Sequence, residues 1–322
     1  MKVLCIMHFR VPFQRAGSEV AMHTALQALQ SAGHSISIVT TDTSMAPPLE
    51  EYQGMTCYST GVNRQKIHQI VRRNKPDVII THHQRAEIAL PLARQIRVPS
   101  VLWVHNDMSH SRRELAQRPT LAMFNSHWVK DKLGYQRRSI VLHPPIQAPE
   151  CAGAGTKVTL VNLNRDKGGE IFYILASIMP EVEFLGVVGA HGQQVIRHDL
   201  PNVEIQPHTT DMCTDVWAKT GIVLMPSIYE SYGMVALEAA SLGIPVLANP
   251  TPGLRESMQD GAWFIDRKNI PGYVKAISVL KADAGAYYEW AARSAKRFTQ
   301  IHTEAELSAF VKTVEELKWT SR

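Results

Sequence analysis

Gly221-Ile222-Val223-Leu224-Met225-Pro226-Ser227-Ile228-Tyr229-Glu230-Ser231-Tyr232-Gly233-Met234-Val235-Ala236-Leu237-Glu238-Ala239 is the stretch on which the fold turns. Its first five residues form an unbroken apolar run, the pattern of a strand buried on both faces. Pro226 ends that run, because proline brings no N–H to a ladder. A polar turn follows, and Gly233 then opens an apolar helix. A buried strand passing through a short turn into a helix is half of a βαβ unit. The first backbone N–H groups of such a helix lack intrahelical partners and suit a bound anion. Two carboxylates, Glu230 in the turn and Glu238 in the helix, flank that position.

The same alternation runs outward in both directions and predicts parallel sheets covered on both faces. Towards the N-terminus, strands are expected at 2–7, 35–40, 77–81, 99–104, 121–125 and 139–142, and helices at 18–32, 64–74, 85–95 and 126–134. The second half predicts strands at 157–162, 182–188, 202–205, 221–225, 245–248 and 262–265, with helices at 169–179, 211–219, 233–243, 253–259 and 270–281. Beyond about residue 284 the chain reads as wholly helical. The stretch 143–155, with three prolines and two glycines, reads as a linker. The expected organisation is an N-terminal domain over 1–148, a C-terminal domain over 149–300 and a helix over 301–322 that packs back on the first domain. Ligands of open α/β sheets bind at the carboxyl ends of the strands, so the chemistry is sought there, in a cleft between the two sheets.

Charge divides unevenly. Residues 1–150 hold 18 Lys+Arg and 10 Asp+Glu, a net of +8, and residues 151–322 hold 16 and 19, a net of −3. A basic half suits an acidic partner, and a solvated basic surface is the plainer alternative. No apolar run reaches the ~18 residues that cross a bilayer, and the short apolar N-terminus reads as a strand and not as a secretory signal. The four cysteines, Cys5, Cys57, Cys151 and Cys213, are widely spaced. Spacing of that kind points away from a disulfide framework or a zinc site and towards a reducing, cytoplasmic setting.

The quoted stretch resembles glycosyltransferase family 4, whose signature is two glutamates separated by seven residues after a Pro-Ser turn, with a glycine before the helix. Pro226, Ser227, Glu230, Gly233 and Glu238 stand at those places. Gly243-Ile244-Pro245-Val246-Leu247-Ala248-Asn249-Pro250-Thr251-Pro252-Gly253-Leu254-Arg255-Glu256 resembles the family's next strand and loop, although Glu256 equally reads as a helix-start charge. The resemblance implies the two-domain GT-B fold, in which two Rossmann-like, doubly wound α/β domains face a central cleft.

Other strand ends fit the family more loosely. Asn162 stands where the family usually has an arginine, and Lys167-Gly168 matches its phosphate-binding lysine, with Arg165 in the same loop as a substitute cation. In the first domain, Ala16-Gly17 replaces the family's glycine pair, and Ser18 is a good N-cap. His105, closing Val101-Leu102-Trp103-Val104, matches a histidine beside the transferred sugar. In Phe124-Asn125-Ser126-His127, Ser126 reads as an N-cap.

The resemblance implies a retaining hexosyltransferase that needs no metal or other cofactor beyond a nucleoside-diphosphate sugar, with UDP- or GDP-sugars as the expected donors. Gly17, Asn162, Arg165, Lys167, Ser227 and the amides of Gly233, Met234 and Val235 would hold the donor. Glu238 would hold its ribose, and Glu230, Lys167 and His105 would serve catalysis by positioning and charge. Arg112, Arg113 and Arg118, with Arg137 and Arg138, mark a surface for a polyanionic acceptor, whether nucleic acid (a modified DNA base), acidic glycan or anionic lipid at a membrane face. Monomer and homodimer both fit. Two other readings share the scaffold: a non-catalytic nucleotide-sugar-binding protein and a nucleotide-sugar epimerase. Gly186-x-x-Gly189-x-x-Gly192 has the wrong spacing for a dinucleotide loop.

Overall fold

Every strand expected from the sequence forms, in two sheets that are parallel except for one hairpin. The structure is a computed structural model and describes residues 1–44, 46–151, 155–190 and 192–318. Residues 152–154 of the expected linker, His191 of the Gly189–Gly192 loop and the last four residues of the expected C-terminal helix lie outside them. The chain forms two units, Met1–Pro145 together with the segment from Thr303, and Ile146–His302.

The first unit begins β1 (Lys2–Met7), α1 (Gly17–Ser31), β2 (Ser35–Thr40), β3 (Leu49–Tyr52), β4 (Met55–Ser59) and α2 (Arg64–Asn74). It continues β5 (Val78–His82), α3 (Ala86–Ile96), β6 (Ser100–Val104), α4 (Ser109–Ala116), β7 (Leu121–Phe124), α5 (His127–Leu133) and β8 (Ser139–Val141). Strand order across its sheet is β3-β4-β2-β1-β5-β6-β7-β8. From β1 the chain first winds one way through β2 and then crosses back to β5, so the order reverses between β1 and β5. That reversal opens a crevice at the strands' carboxyl ends.

The second unit runs β9 (Lys157–Val161), α6 (Gly169–Ile178), β10 (Phe184–Val187), β11 (Val203–Gln206), α7 (Met212–Asp215) and β12 (Thr220–Met225). It ends with α8 (Met234–Ser241), β13 (Val246–Ala248), α9 (Pro252–Met258), β14 (Trp263–Phe264), α10 (Ile270–Ala282) and α11 (Ala284–Thr299). The order β11-β10-β9-β12-β13-β14 reverses between β9 and β12, so the quoted strand is one wall of the second switch point. The last helix, α12 (Thr303–Glu315), packs on α1, and its Phe310 and Val314 join Met22, Leu26 and Trp103 in the core of the first unit. Burying a side chain such as Phe310 is worth roughly 1.5–3 kcal/mol, enough to hold this segment to that core.

Several expectations are corrected. The segment 49–59 is a hairpin whose two-residue turn, Gln53-Gly54, has positive φ at both positions (50° and 74°) and so matches the strand twist. Its Leu-Glu-Glu-Tyr strand is too polar to announce itself. The expected helix over 211–219 shrinks to α7 and a 3-10 turn at Trp217–Lys219. Helix α1 is preceded by Ala16, which offers no side-chain cap, while the Ser18 hydroxyl donates to Glu19. Ser126 does cap α5, accepting from the Val129 amide. Cysteine spacing misleads as well: Cys151 and Cys213 are joined by a disulfide, their Cα atoms 5.7 Å apart across 62 residues of sequence, while Cys5 and Cys57 are free and buried. Distance along the chain says little about distance in a sheet protein that brings loops together at one edge.

Candidate active site

At the switch point of the second unit, two loops leave the adjacent ends of β9 and β12. Their backbones are joined by the Ile228 amide donating to the Asp166 carbonyl (2.8 Å). Lys167 Nζ donates to Glu230 Oε1 at 2.6 Å, and Ser227 Oγ donates to the same oxygen at 2.9 Å. Glu230 and Ser227 are buried. Both bonds fall on Oε1, which leaves Oε2 open. Asn249 Nδ2 in turn donates to the Ser227 carbonyl (2.8 Å), tying the loop after β13 to this turn.

Glycine is required here by close approach. A Cβ on Gly253 would sit 2.2 Å from the Glu230 carbonyl oxygen, so the start of α9 can press against the Glu230 backbone only without a side chain. Gly233 precedes α8 at φ +96°, a conformation natural to glycine, and the first amides of the helix, Met234 and Val235, have no intrahelical acceptor. Glu238 lies on α8, half-buried. No described residue donates to its carboxylate, and burial pushes its pKa up to about 7. An unpartnered carboxyl beside a helix start is placed to accept hydroxyl hydrogens from a ligand.

Around Lys167 the loop is held by its own asparagines. Asn162 has φ +74°, tolerable for Asn, and its Oδ1 accepts from the Asn164 amide (3.3 Å) and from Gln194 Nε2 (3.0 Å). Asn164 Oδ1 accepts from the Lys167 amide (2.8 Å). Asn162 therefore serves loop geometry with its oxygen. Arg165 is turned out to solvent, with its Nε and Nη2 on Glu170 at 2.9 and 2.6 Å. The residue that sequence reasoning missed is Arg267, after β14. Its Nε donates to the Pro226 carbonyl (3.0 Å) and its amide to Asn249 Oδ1 (3.0 Å). Its terminal nitrogens have no partner among the described residues. Nothing in the local pattern Ile265-Asp266-Arg267-Lys268 separates it from a surface arginine.

In the first unit, Gly17 begins α1. His105 follows β6, is buried, and has its carbonyl fixed by Asn125 Nδ2 at 2.9 Å. It is not alone. His82 Nδ1 lies 3.2 Å from His105 Nε2, and the rings of His82 and His83 lie 5.2 and 5.0 Å from that of His105. Burial, reinforced by neighbouring histidines, holds His82 and His105 well below the ordinary histidine range, and burial with His110 and His8 holds His83 at about 4. Thr81-His82-His83 at a strand end carries the same local signal as Val104-His105. Among the arginines expected to meet an acceptor, Arg112 is engaged with the Lys132 and Leu133 carbonyls at the end of α5 (3.2 and 3.4 Å), while Arg113 and Arg118 are exposed.

The family profile described as glycosyl transferases group 1 matches residues 202–297, and that described as Glycosyltransferase Family 4 matches residues 15–139. The chain belongs to glycosyltransferase family 4. D-inositol 3-phosphate glycosyltransferase of Mycolicibacterium smegmatis is 32% identical over 108 residues, covering 33% of this chain and 25% of the relative. The enzyme of the same name from Rhodococcus jostii is 31% identical over 104 residues, covering 31% and 23%. The matched region is thus about a quarter of each relative's length. Anabaena HepE, solved in complex with UDP and glucose, superposes with a TM-score of 0.79 at 16% identity, covering 98% of this chain and all of that one. Sucrose-phosphate synthase from Thermosynechococcus elongatus superposes at 0.74 and 13% identity, covering 98% and 99%. These likenesses establish the GT-B fold.

Proposed function

We propose that the chain is a retaining glycosyltransferase that moves a hexose from a nucleoside-diphosphate sugar to a hydroxyl acceptor. The observation that carries this reading is the Lys167–Ser227–Glu230 cluster at the β9/β12 switch point, beside the first amides of α8 and the unpartnered Glu238. A diphosphate needs cations and amides, a ribose needs a hydroxyl acceptor, and a hexose needs a second carboxylate; this one edge offers all of them. The matching family signature and the likeness to HepE, solved with UDP and glucose, support the same reading.

In the reaction, the bond between the sugar's anomeric carbon and the diphosphate oxygen breaks, and the acceptor oxygen forms the new bond on the same face. The acceptor's proton passes to the departing diphosphate, which leaves as the nucleoside diphosphate. Lys167 leaves Glu230 for the diphosphate, joined by the Met234 and Val235 amides, the Gly17 loop and the Asn162 NH2. Arg267 supplies the second cation in place of the usual arginine. Glu238 accepts from the ribose, and Glu230 and His105 accept from hexose hydroxyls. We assign acceptor binding to the first unit, whose positive charge favours an acidic acceptor.

A panel of UDP-, GDP-, ADP- and TDP-sugars tests this directly. One donor should bind and be slowly cleaved, with binding reduced in Glu238→Ala and cleavage abolished in Glu230→Ala. Wild-type turnover by Glu230→Ala, or no binding of any donor, would overturn the reading.

A further inference from the structure

A second feature lies at the switch point of the first unit, where β1, β5 and β6 end. Successive side chains of a strand point to opposite faces, yet His82 and His83 do not. His83 has φ +50°, and this left-handed residue immediately after β5 folds the chain so that the two rings stand 4.7 Å apart. His105, at the end of the neighbouring strand, completes the set. One nitrogen from each of the three imidazoles lies within 4.8 Å of the others.

We propose that His82, His83 and His105 bind a divalent transition cation of the zinc class. Two imidazoles bound to one tetrahedral zinc, at about 2.0–2.1 Å each, stand roughly 3.3 Å apart. The 3.2 Å between His82 Nδ1 and His105 Nε2 matches that spacing. His83, the least buried of the three, sits on the turn and can close the remaining gap. The His110 ring lies 6.3 Å from that of His83, and His110 Nε2 is buried without a partner among the described residues. A water on the open fourth position of the ion would be a partner for that nitrogen. An all-imidazole donor set selects zinc, copper, nickel or cobalt over magnesium and calcium, which prefer oxygen. The site does not rest on the proposed hexose contact and competes with it, because an ion on His105 Nε2 leaves that ring only a donor.

The test uses the full chain stripped with a chelator. Zinc is titrated in competition with a chromogenic chelator, and cobalt is followed by visible absorption. The expected result is equimolar binding and an intense, low-coordinate cobalt spectrum. His83→Asn is the diagnostic variant, since asparagine accepts the left-handed backbone and removes only the imidazole. It should weaken zinc binding by at least about tenfold, the lower end of what even outer-shell substitutions cost, and abolish the low-coordinate spectrum. Exposed His198→Ala should leave both unchanged. Weak or substoichiometric zinc binding, an octahedral cobalt spectrum, or equal affinity in His83→Asn and the parent would each overturn the proposal.

Discussion

Glu238→Gln separates stability from function at a single atom pair. In the free protein the Glu238 carboxyl is desolvated and has no donor among the described residues to offset the loss of water, so its pKa stands at about 7 against an ordinary 4.5. The folded carboxyl holds its proton up to about pH 7, whereas the unfolded one releases it near 4.5. Stability therefore falls as pH rises through that window and is level above it. At about 1.36 kcal/mol per pH unit the cost of ionisation is at most about 3 kcal/mol at pH 8. The true value is smaller, because the side chain is only half-buried. Glutamine removes this cost, so thermal denaturation at pH 8 should show the variant melting higher than the parent. At roughly 2–4 °C per kcal/mol for a domain of this size, the rise should be several degrees. The two proteins should converge at pH 5, where the parent is already neutral. Nucleotide affinity should move the other way. The parent should bind the nucleoside-diphosphate sugar more tightly as pH rises towards about 7, and the variant should bind roughly ten- to a hundredfold more weakly, the worth of a hydrogen bond to a charged group. A variant that melts lower at pH 8, or binds the donor as well as the parent, would refute the picture of a strained carboxylate awaiting a diol.

Four further outcomes follow from particular contacts. Lys167→Ala should weaken donor binding by about 1.5–3 kcal/mol, measured by calorimetry; unchanged affinity would remove it from the diphosphate site. Arg267→Ala should raise the KM for donor while Arg267→Lys, which keeps the charge, restores part of it; equal KM values in all three proteins would deny Arg267 a phosphate role. Gly253→Ala forces a methyl to within 2.2 Å of the Glu230 carbonyl and should cost roughly 1–3 kcal/mol of stability; a neutral effect in denaturant unfolding would show that the loop yields freely. Breaking the Cys151–Cys213 link, by reduction or Cys213→Ala, opens a long loop in the unfolded chain and should cost about 2–4 kcal/mol; a melting temperature indifferent to reductant would contradict the pairing.

The parallel sheets were readable because buried strands are continuous apolar runs whatever their neighbours do. Val223-Leu224-Met225 and Val101-Leu102-Trp103 could scarcely be anything else. The Glu230 turn was readable because its glycine, proline and carboxylates sit in one short segment, where chain geometry alone brings them together. Arg267 was not, because its nearness to Pro226 depends on β14 lying two strands from β12, a relation absent from local sequence. The left-handed His83 was hidden for a different reason: histidine tolerates positive φ without requiring it. Arg112 shows the opposite failure, a conspicuous charge in the sequence that the fold uses on the carbonyls ending α5.

The pairing of Lys167 with Glu230 changes what a substitution at Glu230 reports. In the free protein Lys167 and Glu230 satisfy each other's charge before the donor arrives. On the proposed function, donor binding exchanges one partner for two: the diphosphate takes Lys167, and the hexose hydroxyls take Glu230. A nucleoside diphosphate without its sugar draws Lys167 away but gives Glu230 nothing in return, leaving a buried carboxylate with only Ser227. Such an uncompensated buried charge is costly. The intact donor should therefore bind more tightly than the nucleoside diphosphate by more than the hexose's own hydrogen bonds supply. Glu230→Gln releases Lys167 in advance, so the variant should bind the bare nucleoside diphosphate more tightly than the parent while losing transfer. If the bare nucleotide binds the parent and Glu230→Gln alike, the ion pair is not exchanged on binding, and Lys167 contacts the donor without leaving Glu230.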